Sequence, residues 1–236
     1  MSVSASVKER IRKKGEGNIS TYQDFADLGN LQAVALTLSR LAKLGKIQRL
    51  SRGQYYVPKK TKFGNLAPSE DQILATIIQK NSGYIAGFSV LNRLGLTTQV
   101  PNEIEIRGTR SNRKRTIGNL RFKFNRGPSL EVSEKDALWV DVLEVLRLIK
   151  QIQGTDSGRV LKKVKALIGS NPSQIKRLIQ LSQVYRPGVR ALLGAILQDL
   201  KLPYWEELKR GLNPLTSYEF NISETQLQNK AFWKII

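Results

Sequence analysis

The chain has 236 residues, 40% of them hydrophobic, and carries 39 Lys and Arg against 19 Asp and Glu, for a formal net charge of +20. That is enough material for two domains of ordinary size, and the basic balance implies an anionic partner, nucleic acid or an acidic protein. The sequence has no Cys and no His, which excludes disulfides, Cys/His metal sites, Ser-His-Asp hydrolysis and histidine acid-base chemistry.

No run approaches the ~18 apolar residues of a membrane span, and Met1 to Lys14 lacks the apolar core of a signal peptide, so the expected location is the cytoplasm, with no membrane partner. Neither GxGxxG nor GxxxxGK[ST] occurs, and no carboxylate pair follows Gly169-Ser170 as a nucleotidyltransferase would need. No cofactor, no metal and no catalytic residue is therefore expected, and an enzyme is the disfavoured class. Asp136, Asp141 and Glu144 fall on one predicted helix among apolar residues, a pattern that reads as a solvated face.

From the start of the chain, Ser4 to Lys14 reads as a short basic helix with a Ser cap, Val7 and Ile11 lying four apart. After the polar break Gly15 to Asn18, a hydroxyl of Ser20 or Thr21 caps a short helix carrying Tyr22, Phe25 and Leu28, which Gly29-Asn30 ends. A second helix, Leu31 to Leu44, sets Leu31, Val34, Ala35, Leu38, Leu41 and Ala42 on one apolar stripe, and Gly45 stops it. Two β-prone runs then follow, Lys46 to Leu50 and Gln54 to Val57, joined through Ser51-Arg52-Gly53.

Helix, helix and hairpin in this order are the pattern of a winged helix-turn-helix. With the Leu38 stripe facing inward, a step of ~100° per residue turns Gln32, Ala33, Leu36, Arg40 and Lys43 outward. Gln can pair bidentately with an adenine edge and Arg with guanine, Ala or Leu can touch a thymine methyl, and Lys43, Arg49 and Arg52 suit phosphates. The seven residues are the expected DNA-binding set. Leu36 is the awkward member, an apolar side chain on the outer face that a second domain could equally cover. A small helical domain using its hairpin for protein contacts is the alternative for the whole stretch.

Residues 57–68 hold two prolines, a glycine and three lysines without helical periodicity, and read as a linker. The expected domains are thus 1–63 and 64–236, the first with 13 basic and 4 acidic residues. Ser69 with Gln72 is a capping-box signature opening the second domain, and Tyr84 to Leu96 is predicted as a helix. Beyond Pro101 the period becomes two: Ile104 and Ile106, then Leu120, Phe122 and Phe124, alternate with polar residues as two half-buried strands.

Between and within them lie Arg107, Arg110, Arg113, Lys114, Arg115, Arg121, Lys123 and Arg126 without an acid, either a solvated loop and charged edge strand or a second anionic-contact surface. Helices are predicted at Ser133 to Ile149, Arg159 to Ile168, Pro172 to Val184 after an Asn171 cap, and Pro187 to Leu200, with Trp139 a core or interdomain anchor. A short helix at Tyr204 to Leu208, a strand at Tyr218 to Ile222 and a docked apolar terminus complete the chain. The expected fold class is α+β: an N-terminal winged helix-turn-helix followed by a mainly helical C-terminal domain with a small antiparallel sheet.

The run Arg52-Gly53-Gln54-Tyr55-Tyr56, the helix segment Leu91-Asn92-Arg93-Leu94-Gly95-Leu96-Thr97, the Gln99-Val100-Pro101 step and the terminal Leu212-Asn213-Pro214-Leu215-Thr216-Ser217-Tyr218 together resemble AbiEi-type antitoxins. That resemblance spans almost the whole chain. It implies the antitoxin of a type IV toxin-antitoxin system of abortive infection, whose N-terminal domain binds double-stranded promoter DNA and represses its own transcription. It further implies a functional partner, an AbiEii-like nucleotidyltransferase toxin, counteracted by the C-terminal domain without a requirement for direct binding. A homodimer on DNA fits the same reading. The competing class is a plain winged-helix transcriptional repressor whose second domain dimerises or senses a ligand.

Overall fold

Helix α1 (Val3–Lys14) opens the chain one residue earlier than expected, because the Ser2 hydroxyl and not that of Ser4 caps it, accepting from the Ala5 N–H at 3.3 Å. The structure is a computed structural model that describes residues 2–62, 64–81, 83–108, 112–127, 130, 132–152, 154 and 156–236. Arg110 lies outside the described residues. By compactness the chain divides into one unit of residues 1–80 with 115–121, and another of 81–114 with 122–236.

In the first unit, β1 (Ile19–Thr21) leads into a 3-10 helix over Tyr22–Leu28, which replaces the expected short α-helix. Its capping box closes when Asp24 accepts from the Thr21 N–H at 2.5 Å. Helix α2 (Leu31–Lys43) follows directly, with the Asn30 side chain accepting from the N–H groups of Gln32 and Ala33 at 2.9 and 3.2 Å. Strands β2 (Gln48–Ser51) and β3 (Gln54–Tyr56) then form a hairpin, and β3 pairs antiparallel with β1 on its other side, giving the order β1-β3-β2.

The core of this unit unites Val7 and Ile11 of α1, Phe25, Val34, Leu38 and Leu41 of α2, Ile47 and Tyr55. Burying each such side chain contributes ~1.5–3 kcal/mol, so truncating the fully buried Leu38 to Ala would cost ~2–5 kcal/mol. Leu31, expected on this stripe, is instead exposed: it is the first residue of α2, before the helix has anything to pack upon.

Residues 57–68 are not an irregular linker. They contain a two-stranded hairpin, β4 (Lys59–Thr61) with β5 (Gly64–Leu66), whose strand side chains are all exposed. Ser69 and Gln72 do make the expected reciprocal cap, at 2.9 and 3.3 Å, in front of α3 (Glu70–Asn81). Compactness, however, puts residues 70–80 of α3 in the first unit, so the division falls near residue 80 and not at 63.

The second unit begins with β6 (Gly83–Ala86) and α4 (Phe88–Arg93), where one helix over Tyr84 to Leu96 was expected. Gly87 separates them with φ +69°, and a Cβ there would stand 2.4 Å from a Glu105 carboxylate oxygen, so only glycine fits. Tyr84 and Ile85 pair with β7 (Ile104–Gly108). A strand not expected from the sequence, β8 (Arg113–Ile117), turns through Gly118-Asn119 into β9 (Leu120–Arg126), and the sheet order is β6-β7-β9-β8. The expected small antiparallel sheet is present with one exception, the β7–β9 pair, which runs parallel. Residues 115–121, the end of this hairpin, belong to the first compact unit.

Helices α5 (Ala137–Leu148), α6 (Ser157–Leu167), α7 (Pro172–Ser182), α8 (Pro187–Asp199) and α9 (Trp205–Arg210) build the remainder around a large core. Asn171 caps α7 and Trp139 is buried in the core, as expected. Residues 218–222 form no strand. Tyr218 bridges Ile235 in parallel, a contact too short to extend into a ladder, and the apolar end docks with Trp233 and Ile235 buried. Gly194 of α8 makes room for it: a Cβ there would lie 2.1 Å from the Trp233 ring.

Candidate nucleic-acid interface

Of the residues predicted to face outward from α2, Gln32, Leu36, Arg40 and Lys43 are exposed, and Ala33 is half-buried. The Ala33 carbonyl accepts from the Thr37 hydroxyl at 2.8 Å. Leu36 is 58% exposed, an uncovered apolar side chain in the middle of a polar row. Ser39 completes the row and was missed, although its place between Leu36 and Arg40 follows from the same helical spacing.

The β2–β3 hairpin presents Arg49, on β2, and Arg52, in the turn, to solvent. Its shape depends on Gly53, which has φ +74° and whose added Cβ would meet the Tyr22 ring at 3.0 Å. Tyr22 in turn lies 6.5 Å from the Tyr55 ring, so the turn is seated on the 3-10 helix before α2. A buried Gln54 accepts from the Ser51 hydroxyl at 2.5 Å and fixes the strand ends. From the hairpin end 115–121, Arg115 donates to the Arg52 carbonyl at 3.5 Å.

Charge divides this unit into two parts. On α1, Arg10 donates to both oxygens of Asp27, Lys14 pairs with Asp24 at 2.9 Å, and Glu9 meets Arg12 and Lys13 at 3.0 and 3.9 Å. Burial works to raise the Asp24 carboxyl, but Lys14 and the Thr21 N–H outweigh it and hold the group below its ordinary range. The acids of this part are thus occupied by the cations of α1. By contrast, no carboxylate among the described residues reaches ion-pair distance of Arg40, Lys43, Arg49 or Arg52. The same holds for Lys59, Lys60 and Lys62 around the β4–β5 hairpin, which are also exposed and were read only as linker residues.

The second basic segment does not form one surface. Arg107 is 3.6 Å from a buried carboxylate oxygen of Glu144, Arg113 lies over the Phe124 ring at 4.8 Å, and Lys114 pairs with Glu103 at 2.8 Å. Arg115 and Arg121 belong to the first unit, while Lys123 and Arg126 are exposed on β9. Alternation puts Lys114 on the face of β8 opposite Arg113 and Arg115, and Arg126 on the face of β9 opposite Arg121 and Lys123, so a run of like charges in sequence meets several environments.

The acids of the Ser133 to Ile149 segment are not the expected solvated face. Asp136, Asp141 and Glu144 are all buried, and each meets arginine: Arg177 with Asp136 at 2.9 and 2.8 Å, Arg93 with Asp141, and Arg147 with Glu144 at 3.0 and 2.6 Å. Burial raises the Asp141 carboxyl against the pull of Arg93, whereas the Arg177 guanidinium, with the Ser133 N–H and hydroxyl helping, drives Asp136 well below the carboxylate range. In a mainly helical unit, four helical neighbours bury nearly the whole circumference of α5, including its polar side.

Residues 6–175 match the DUF6088 family, described as a family of unknown function. The chain belongs to this family. The matched span contains all of α2, the β2–β3 turn and the basic segment up to Arg126, and it ends within α7. No curated protein matches the chain. Among the described residues no helix is long and apolar enough to cross a membrane.

Proposed function

We propose that this DUF6088 chain is a duplex-DNA-binding transcriptional autorepressor whose first unit acts as a winged helix-turn-helix, and that it is the antitoxin of an AbiEi-type system. The observation that carries the DNA-binding part is the separation of charge: Arg10, Arg12, Lys13 and Lys14 of α1 are ion-paired, while Arg40, Lys43, Arg49 and Arg52 have no carboxylate partner among the described residues. Unneutralised Lys and Arg are what phosphates require, and an exposed helix row bearing Gln32 and Arg40 supplies the side chains that read base edges. Further support comes from the strand order β1-β3-β2, with a helix preceding the hairpin and a glycine-dependent turn at its tip. In this reading α2 enters the major groove and the β2–β3 turn lies against the backbone.

The antitoxin part is supported by the resemblance in sequence, and it assigns protection to the second unit. Fluorescence anisotropy on a labelled duplex from upstream of the chain's own gene, against an unrelated duplex, tests the first part. A preference of at least about tenfold for the promoter is expected, and no binding to either duplex at low salt would refute it. Growth on co-expression with the product of the adjacent gene tests the second. Because residues 70–80 and 115–121 join the first unit, no single cut separates the two activities, and point variants replace truncation. A chain carrying both Arg40→Ala and Arg52→Ala should lose promoter binding and still rescue growth, and loss of rescue by a folded double variant would show that the first unit is itself part of the antitoxin activity.

A further inference from the structure

We propose that the second unit binds a phosphate-bearing small molecule of nucleotide size in the cleft between the C-terminal end of α5, the start of α8 and residues 213–220. The half-open cleft has a volume of about 830 Å³, within the ~300–1,000 Å³ of small-molecule sites, and every residue lining it belongs to the second unit.

Its inner wall is organised by Glu144, which has no solvent exposure. Arg147, one turn along α5, donates from Nε and Nη2 to one Glu144 oxygen at 3.0 and 2.6 Å. The other oxygen accepts from the Tyr185 hydroxyl at 3.1 Å and lies 3.6 Å from Nη1 of Arg107 on β7. Burial works to lower the Arg147 pKa, but the hydrogen bond and charge of Glu144 outweigh it and leave the guanidinium more firmly protonated. One buried carboxylate therefore holds two guanidiniums in place, and each retains donors that Glu144 does not use. A planar guanidinium fixed in this way is suited to an oxyanion of phosphate geometry.

The donors left over are the second observation. Arg107 Nε and the Tyr218 hydroxyl are buried atoms without a hydrogen-bond partner among the described residues, and both residues line the cleft. Buried donors are costly to leave unpaired, and a small shift of either side chain toward the cleft would let a phosphate oxygen satisfy it. Lys150 and the exposed Arg186 add two cations at the rim, so four cations face Glu144 and Glu219, the latter paired with Lys150 at 2.7 Å. Helix α8 also presents its positive end: it begins at Pro187 without a side-chain cap and without an acid in its first turn, and Gly188 and Val189 line the cleft. The Tyr218 and Phe220 rings, each with an atom 3.3 Å from where a Gly188 Cβ would stand, pack beside the start of α8 and give the cleft an apolar side. A half-open cleft of this volume suits a small molecule.

Isothermal titration of the full chain with inorganic pyrophosphate, and separately with ATP, at 150 mM salt tests the assignment. Saturable binding of both is expected, weakened roughly tenfold or more by Arg186→Ala, which removes an exposed side chain, and by Arg147→Lys, which keeps the charge and removes the fork. Arg52→Ala, in the first unit, should leave both titrations unchanged. Absence of saturable binding to the wild-type chain at millimolar pyrophosphate and ATP would overturn the assignment. So would equal losses in Arg186→Ala and Arg52→Ala, the signature of a general basic surface, or affinities unchanged in both cleft variants. Competition of duplex DNA with pyrophosphate that persists in Arg52→Ala would make the cleft a nucleic-acid contact and overturn it equally.

Discussion

Removing Arg52 should change how salt weakens DNA binding by a calculable amount. Four cations, Arg40, Lys43, Arg49 and Arg52, are exposed on α2 and the β2–β3 hairpin and have no carboxylate partner among the described residues. If each neutralises one phosphate, log K falls with log salt at a slope of roughly −3.6, taking about −0.9 per phosphate. Between 50 and 200 mM salt the wild-type affinity then drops roughly 150-fold, and that of Arg52→Ala, with a slope near −2.7, roughly 40-fold. Arg12 is the control. It is equally basic and more than three-quarters exposed, but it already meets Glu9 at 3.0 Å, so Arg12→Ala should leave the slope of the wild-type chain. Anisotropy titrations of a labelled promoter duplex at four or five salt concentrations measure all three slopes. Equal slopes for Arg12→Ala and Arg52→Ala would refute the reasoning from unpaired cations.

Arg40→Ala should reduce discrimination between promoter and unrelated duplex by about 1–3 kcal/mol, while Arg52→Ala weakens both alike, as competition binding on the two duplexes would measure. Gly53→Ala forces a Cβ into the left-handed region and against the Tyr22 ring; thermal unfolding should register a loss of about 1–2 kcal/mol together with weaker DNA binding, and an unchanged melting temperature would count against the turn geometry. Asp136 is held well below the usual carboxylate range by Arg177, so its contribution is complete above about pH 4, the unfolded value, and is lost as pH falls through the folded value. Melting temperatures of Asp136→Asn should therefore lie below those of the wild-type chain near neutrality and converge with them in acid, and a difference that does not narrow below pH 4 would contradict the assignment.

What the sequence determined by itself is mostly local. The period-3.6 stripe of Leu31 to Leu44, the Asn30 and Asn171 caps, the Ser69-Gln72 box and the prolines opening α7 and α8 depend on neighbours within four residues, and each has a counterpart in the structure within one or two positions. The outward set on α2 was legible for the same reason, because one buried stripe defines its opposite face. Tertiary structure decided the rest. Tyr84 to Ala86 became a strand because β7 was there to pair with it, the weakly patterned residues 59–66 became a hairpin, and residues 115–121 joined a unit whose other residues end at 80. The cleft was invisible in the sequence: Arg107 reads there as one of eight like charges, and Glu144 as one acid on a solvated face. Only the packing of α5 among its neighbours buries Glu144, and a carboxylate withdrawn from water must recruit cations, which draws Arg107 and Arg147 together from positions forty residues apart.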